Sequence, residues 1–221
     1  MIIVIDGPAG SGKSSTSKKL AEIHGLQVLD SGAFYRACTL LYLQNSKPTE
    51  NKFFSVLAKS EICFEERHGT IEVLYNGRLV TKKLRSMEVN ESVSDVATMP
   101  EVRDWVNLKM RALVENGRFI ADGRDLGTVV FPNAALKFWL NADPKVRATR
   151  RVSELEAMGE LDIDYNNVLA NIIERDYKDS SRAVAPLKKA DDAIVVDTTN
   201  CSFEDQVLRI SSYISELLKP I

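Results

Sequence analysis

Residues 7–14 read Gly-Pro-Ala-Gly-Ser-Gly-Lys-Ser, a complete phosphate-binding loop with Gly at its first and sixth positions, followed by Lys and Ser. The apolar, β-branched run 1–6 precedes the loop and predicts a buried parallel strand. The segment 14–23 follows with helical spacing of its apolar residues. Such a loop wraps a polyphosphate, and the helix amino terminus offers unpaired N–H groups. The sequence therefore predicts a nucleoside triphosphate site rather than a flexible glycine turn.

The loop pattern gives roles to single residues. Lys13 is expected to reach the β- and γ-phosphates, and the Ser14 hydroxyl is placed to touch Mg²⁺. Asp122 ends a predicted strand and has two interpretations, a magnesium or water ligand and a turn or cap residue. The predicted ATP-binding residues are Gly7, Pro8, Ala9, Gly10, Ser11, Gly12, Lys13, Ser14 and Ser15.

Composition restricts the class of protein. A chain of 221 residues with 44% hydrophobic and 27% charged residues suits one α/β domain, with room for an inserted subdomain. A net charge of −2 argues against nucleic-acid and membrane partners. Three widely spaced cysteines favour reduced thiols, and the first apolar run is too short for a signal peptide or a membrane span. We expect a cytoplasmic monomer.

Strands and helices alternate along most of the chain. Strands are predicted at 27–30, 119–122, 135–140 and 193–197, in addition to the first one. Helices are predicted around 37–43 and 100–115, from Pro144 onward and over 166–178. This order predicts an α/β fold with a five-stranded parallel sheet. Because ligands bind outside the carboxyl ends of such strands, the polar residues there are candidates for the site, namely Asp6, Asp30, Asp122 and Asn141.

Residues 60–86 have a different character. Apolar residues alternate over 62–64, 70–75 and 78–80, and Asn76-Gly77 separates the last two runs. An Asn-Gly pair between alternating runs is a strong hairpin signal. We predict a small antiparallel β insert in the α/β core.

Two segments rich in arginine lie near the carboxyl terminus. Arg147, Arg150, Arg151 and Glu154 share one helical face, which is usually a solvated charged face. A second polar line would hold Arg175, Asp179 and Arg182 if that helix continues. A short link with Gly159 joins the segments, so together they resemble a lid over phosphates. Arginine suits this task because its planar fork pairs with phosphate oxygens.

Four motifs together resemble the bacterial cytidylate kinases. They are the phosphate loop, 29–36 (Leu-Asp-Ser-Gly-Ala-Phe-Tyr-Arg), 121–132 (Ala-Asp-Gly-Arg-Asp-Leu-Gly-Thr-Val-Val-Phe-Pro) and 174–187, which begins Glu-Arg-Asp-Tyr. The similarity is collinear over essentially the whole chain. It implies a three-layer nucleoside-monophosphate kinase fold in a single kinase domain, 1–221. Its parts are a core (1–59 and 87–221), a monophosphate-side β insert (60–86) and a short helical lid (147–165).

The resemblance also implies substrates and site residues. The reaction would move the γ-phosphoryl group of ATP to CMP, and also to dCMP, with Mg²⁺ as cofactor. Ser94, Arg103 and Asp125 would face the cytosine ring, and Arg175 and Asp179 the ribose. The implied ligands of the acceptor phosphate, with Ser31 beside them, are Arg36, Arg124 and Arg182, while the lid would supply Arg150 and Arg151. The implied catalytic set is Lys13, Arg124, Arg150, Arg151 and Arg182.

Two alternatives remain open at the level of sequence. One is a kinase for another small acceptor, such as UMP, AMP or shikimate. The other is a GTP-dependent switch, although the Asn-Lys-x-Asp motif expected of it is absent from the sequence.

Overall fold

A computed structural model of the chain describes residues 1–67, 69–81 and 83–219. The strands are β1 Ile2–Asp6, β2 Gln27–Asp30, β3 Ile62–Arg67, β4 Thr70–Tyr75, β5 Arg78–Leu79, β6 Phe119–Gly123, β7 Leu136–Asn141 and β8 Ile194–Asp197. The α-helices are α1 Lys13–His24, α2 Ser31–Gln44, α3 Glu50–Ala58, α4 Met87–Val96, α5 Pro100–Val114, α6 Pro144–Ala157, α7 Tyr165–Ser181 and α8 Phe203–Leu217. A 3₁₀ turn at Lys83–Arg85 and a π-helical turn at Leu126–Val130 complete these elements.

The predicted five-stranded parallel sheet is confirmed. Its strands lie in the order β2-β6-β1-β7-β8, and each pair of neighbours is parallel. This order places β1 at the centre, between β6 and β7. The phosphate loop therefore leaves the sheet from its middle, where the carboxyl ends of the flanking strands converge.

The sheet separates two apolar cores, which gives the three layers. Alternate residues of β1 point to opposite faces, so that Ile3 and Ile5 pack with α1 and α8 while Val4 packs with the cluster formed by α2 to α5. Ile3, Val4 and Ile5 are all fully buried. Burial on both faces explains why the strand reads as a continuous apolar run.

The β insert extends the sheet at its β2 edge. β3 and β5 both pair antiparallel with β4, and β4 joins β2 through a parallel pair between Val28 and Thr70. Asn76 and Gly77 both have positive φ, as a two-residue hairpin turn requires. Phe64 stacks on Phe34 of α2, with ring centroids 3.8 Å apart, and so fastens the insert to the core.

Several helices differ from the sequence expectation. α2 begins at Ser31, because Asp30 caps it by accepting from the Ala33 N–H. α7 ends at Ser181, so Arg182 has extended backbone beyond the helix. The helices α3, α4 and α8 were not predicted. The helices α6 and α7 were predicted, and Asp143 caps α6 by accepting from the Lys145 N–H.

Gly7 lies where the chain leaves β1 beside β7. Its φ is +152°, and a Cβ built there would be 2.0 Å from the carbonyl oxygen of Leu140. We expect Gly7→Ala to lower the free energy of unfolding by well over the roughly 1–2 kcal/mol that positive φ alone costs an L-residue, because the backbone must move. Gly25→Ala is the matched control, since its φ is +61° and no heavy atom lies within 4 Å of the added carbon. Chemical denaturation of both variants measures the difference, and equal losses would contradict the prediction.

Candidate active site

The polar residues at the strand ends lie along one edge of the sheet. The last residues of β1, β2 and β7 are Asp6, Asp30 and Asn141, and Asp122 is the next to last of β6. The phosphate loop and the amino terminus of α1 lie at this same edge. Gly12 precedes α1 with a left-handed backbone and gives no side-chain cap to the helix. The first N–H groups of α1 are thus available to an anion.

Lys13 is buried within the loop. Its ammonium donates to the Pro8 carbonyl at 2.6 Å and to Ser11 Oγ at 3.2 Å. Burial and then the positive charge of Arg124 lower the pKa of Lys13 well below its usual value. A phosphate beside Lys13 would favour its charged form, because opposite charges attract strongly where water is excluded.

Ser14 and Asp122, the two predicted metal ligands, lie together. Ser14 Oγ donates to Asp122 Oδ2 at 2.7 Å, and the buried Oδ1 has no hydrogen-bond partner in the described part of the chain. Burial, followed by the negative charge of Asp30, raises the pKa of Asp122 to about 6. A hydroxyl and a carboxylate fit Mg²⁺, which takes few protein oxygens and completes its shell with water and phosphate. Within the described residues no group of three or more His, Cys, Asp or Glu side chains is arranged to hold a metal by itself.

Asp6 is a buried acid beneath the loop. Its two oxygens accept from the N–H groups of Leu126 and Gly127, at 3.0 and 2.7 Å, and thereby fix the π-helical turn. Burial is the largest influence and raises the pKa of Asp6 to about 6, against the lowering effect of these two hydrogen bonds. Asp6 thus ties the end of β1 to the loop that follows β6.

Asp125 joins two arginines that are distant in sequence. Oδ2 accepts a hydrogen bond from Arg103 on α5, and Oδ1 accepts from Arg182 after α7 at 3.2 Å. Arg103 is 2% exposed, and its guanidinium lies 5.3 Å from the ring centroid of Tyr35. The Tyr35 hydroxyl is buried and without a partner among the described residues, and burial raises its pKa. This group of polar side chains was predicted except for Tyr35.

Asp179 anchors a second group of cations. Arg124 Nε donates to Asp179 Oδ2 at 2.9 Å. Arg175 is half-buried, and its buried Nε has no partner within the described ranges. Burial, and next the charge of Arg124, lowers the pKa of Arg175 to about 10, with smaller contributions from Arg36 and Arg151. Arg36 donates to Asp30 at 2.8 Å. The structure therefore gathers most of the predicted phosphate-binding arginines, with more positive charge than the adjoining acids neutralise.

The two predicted serines have different surroundings. Ser31 is buried and donates to the backbone carbonyl of Asp122 at 2.7 Å, so its hydroxyl fastens α2 to β6. Ser94 is half-buried on α4. Arg103 donates to the carbonyl of Ala97, just beyond that helix, at 3.1 Å. Ser94 therefore lies about one helical turn before Ala97, whose carbonyl Arg103 binds.

The three arginines of α6 each have a different partner and do not form one shared charged face. Arg150 donates to the hydroxyl and carbonyl oxygens of Thr198, after β8. Arg151 pairs with Glu154 at 2.7 Å and lies near enough to influence Arg175. Arg147 is buried and bonded to the phosphate loop. Sequence periodicity placed these residues on one helix but gave no sign of their separate partners.

Comparisons with known proteins agree with this geometry. The fold and the site define a phosphate-loop protein of the α/β class with a group of arginines beside the loop. The family model described as cytidylate kinase matches residues 3–216. A protein named cytidylate kinase from Carboxydothermus hydrogenoformans is 41% identical over 212 residues, which cover 95% of each chain. Another of that name, from Salinibacter ruber, is 42% identical over 213 residues, covering 94% of this chain and 93% of that one. The chain belongs to the cytidylate kinase family.

Cys38, Cys63 and Cys201 are all free. Among residues 1–67, 69–81 and 83–219, no helix has the length and apolar character needed to span a membrane.

The buried Asp6 predicts a pH-dependent stability. Its folded pKa of about 6 exceeds the usual 3.8, so its contribution is most favourable below pH 4 and is lost as the pH rises through 6. The amide in Asp6→Asn does not titrate. Between pH 4 and 7.5, the free energy of unfolding of wild type should therefore fall relative to the variant, by up to about 3 kcal/mol.

Denaturant titrations of both proteins across this pH range measure the shift. Asp197→Asn is the control, because hydrogen bonds from Thr199 lower the pKa of Asp197 below 3.8. Its contribution is lost only as the pH falls below that value, so the difference between wild type and this variant should stay nearly constant across the tested range. A constant difference between wild type and Asp6→Asn would show that Asp6 is not a destabilised buried acid.

Proposed function

We propose that the protein transfers the γ-phosphoryl group of ATP to CMP, giving ADP and CDP. The observation that carries this proposal is the position of several arginines beside the phosphate loop. Arg124 and Arg175 lie close enough to Lys13 for their charges to lower its pKa, and Asp179 holds Arg124 in place. We call Arg36, Arg124, Arg175 and Arg182 the acceptor-side arginines. Family membership supports the same reaction. Family membership also favours a kinase over a GTP-dependent switch, as does the group of arginines beside the phosphate loop.

The donor side would use the loop residues 7–15. Backbone N–H groups and Lys13 would hold the phosphates of ATP, while Ser14 and Asp122 would hold Mg²⁺ directly or through water. The metal, when bound, would neutralise charge on the phosphate oxygens. The contact between Ser14 and Asp122 and the unpartnered Asp122 Oδ1 support this assignment.

The acceptor side would use side chains from four helices and the loop after β6. Arg36, Arg124 and Arg182 would hold the phosphate of CMP, and Arg175 and Asp179 the ribose. Ser94, Arg103 and Asp125 would face the cytosine. Arg151 would reach the transferring group from the lid, whereas Arg150 is held by Thr198 in this structure.

The chemistry needs charge neutralisation more than a base. A phosphate oxygen of CMP is already an anion at neutral pH, and it attacks the γ-phosphorus as the bond to the β-phosphate oxygen breaks. Both reactants are negative, so they repel each other unless cations lie between them. Lys13 and the arginines would supply this charge, and burial would strengthen their effect. We propose that dCMP reacts as well, and that the protein acts as a cytoplasmic monomer.

A panel of acceptors tests the substrate. Coupled assays of ADP release with CMP, dCMP, UMP and AMP should give the highest kcat/KM with the cytidine nucleotides. Equal or greater activity with UMP or AMP would overturn the proposed substrate.

Asp125 supplies a sharper test of how the base is recognised. A carboxylate accepts from the cytosine amine but is unpaired against the uracil carbonyl, and mismatches of this kind discriminate strongly. Asp125→Asn offers an amide that can donate to that carbonyl, so the CMP-to-UMP ratio of kcat/KM should fall by roughly tenfold or more. Alanine is less suitable, because Asp125 also pairs with Arg103 and Arg182.

The control is Asp192→Asn, at an exposed carboxylate paired with Lys137 on β7. It should leave the ratio unchanged. If the ratio is also unchanged in Asp125→Asn, the base is selected by other residues.

A further inference from the structure

One buried ion pair holds the backbone of Ala9 in the phosphate loop from both sides. Arg147 of α6 donates through Nη1 to the Ala9 carbonyl at 2.8 Å and to Asp176 Oδ2 at 2.6 Å. Asp176 of α7 accepts from the Ala9 N–H through its other oxygen at 3.0 Å. Arg147 Nε also donates to the Ala142 carbonyl at 2.9 Å. The N–H and the carbonyl of Ala9 are therefore both satisfied by the same pair of side chains.

The two helices also lie close to Gly10 of the loop, on the side where a side chain would project. A Cβ built on Gly10 would lie 3.4 Å from Arg147 Cβ and 3.8 Å from Ile172 Cδ1. The Arg147 side chain is 4% exposed and that of Asp176 is 20% exposed. In such surroundings a charge-assisted hydrogen bond is stronger than in water, and its geometry is more tightly fixed.

This pair links the donor loop to the acceptor helix. Asp176 directly follows Arg175 on α7, which also carries Asp179 and leads to Arg182. Asp179 holds Arg124, as described above. An unbroken set of contacts therefore runs from Ala9, through Asp176, along one turn of α7 to the arginines of the acceptor side.

We propose that Arg147 and Asp176 are positioning residues for phosphoryl transfer, which align the donor loop with the acceptor helix by fixing the Ala9 peptide. This inference rests on the proposed function. Neither residue is assigned a contact with substrate. It follows that the first turn of α6 is part of the rigid core, and that any lid begins after Arg147.

Alignment matters because the attacking and leaving oxygens must lie in line with the γ-phosphorus. A misplacement of about 1 Å can cost roughly a hundredfold in rate. When the acceptor is misaligned, water has a relative advantage as the competing nucleophile. It attacks the same phosphorus and gives ADP and inorganic phosphate. The ratio of CDP to inorganic phosphate formed from ATP thus reports alignment, and it does not depend on how much of the protein is folded.

The test measures this ratio, together with kcat and both KM values, for wild type, Asp176→Asn and Arg147→Lys. Each variant retains a side chain of similar size but cannot make the full set of hydrogen bonds. Asn offers one acceptor oxygen for the Ala9 N–H and Arg147 together, and Lys lacks the planar fork of the guanidinium. We expect the ratio of CDP to phosphate to fall by about tenfold or more in each, with a larger change in kcat than in either KM. A double variant should lose no more than the worse single variant, because the two side chains act as one unit.

Glu174→Gln is the matched control, because it also neutralises an acid on α7. Its carboxylate pairs with Lys178 at 2.9 Å, and both side chains are more than half exposed. It should leave the ratio unaltered. A wild-type ratio in both Asp176→Asn and Arg147→Lys would overturn the inference, and so would losses that add in the double variant. Failure of wild type to phosphorylate CMP would instead overturn the proposed function.

Discussion

Repulsion between closely placed, largely desolvated cations is the constraint on which the rest of the site depends. Lys13, Arg124 and Arg175 lie close enough at the carboxyl edge of the sheet to lower the pKa of Lys13 and of Arg175, in addition to the effect of burial. Water would screen such a group of charges, but a protein interior does so poorly. A binding site for two anionic substrates gains from this arrangement, because the charge is already in place before the phosphates arrive.

Acids that are buried or half-buried hold the arginines around the site in position. Asp125 bridges Arg103 and Arg182, Asp179 holds Arg124, and Asp176 holds Arg147. Each acid joins elements that are far apart in the chain, so the same contacts that orient the arginines also fasten α5, α6, α7 and the loop after β6 together. Leaving one partner of a buried pair alone is costly. Substitution of these acids is therefore expected to affect folding and catalysis together, which is why amide variants and product ratios serve better than truncations.

Local patterns explain which features were predictable. The phosphate loop, the five parallel strands and the Asn76-Gly77 hairpin each depend on residues adjacent in sequence, and the structure contains all of them. Arg147 and Asp176, which hold the Ala9 peptide, are separated from it by 138 and 167 positions in sequence. No local periodicity encodes such a contact. Charged residues at helical spacing usually face solvent, so the pattern on α6 gave no reason to expect that Arg147 is buried while Arg150 binds Thr198. The resemblance to cytidylate kinases drew attention to Arg103 and Asp125, but their direct contact became known only from the structure.

The pKa of Lys13 tests the electrostatic account most directly. A ¹³C NMR titration of the Lys13 Cε resonance, assigned with a Lys13→Arg variant, measures it in the free protein and in the complex with CMP and a non-hydrolysable ATP analogue. The account predicts a pKa well below 10.5 in the free protein, because burial and Arg124 oppose the charged form. It also predicts a rise on binding, since phosphates stabilise the ammonium. An ordinary pKa in the free protein that does not move when both nucleotides bind would contradict it.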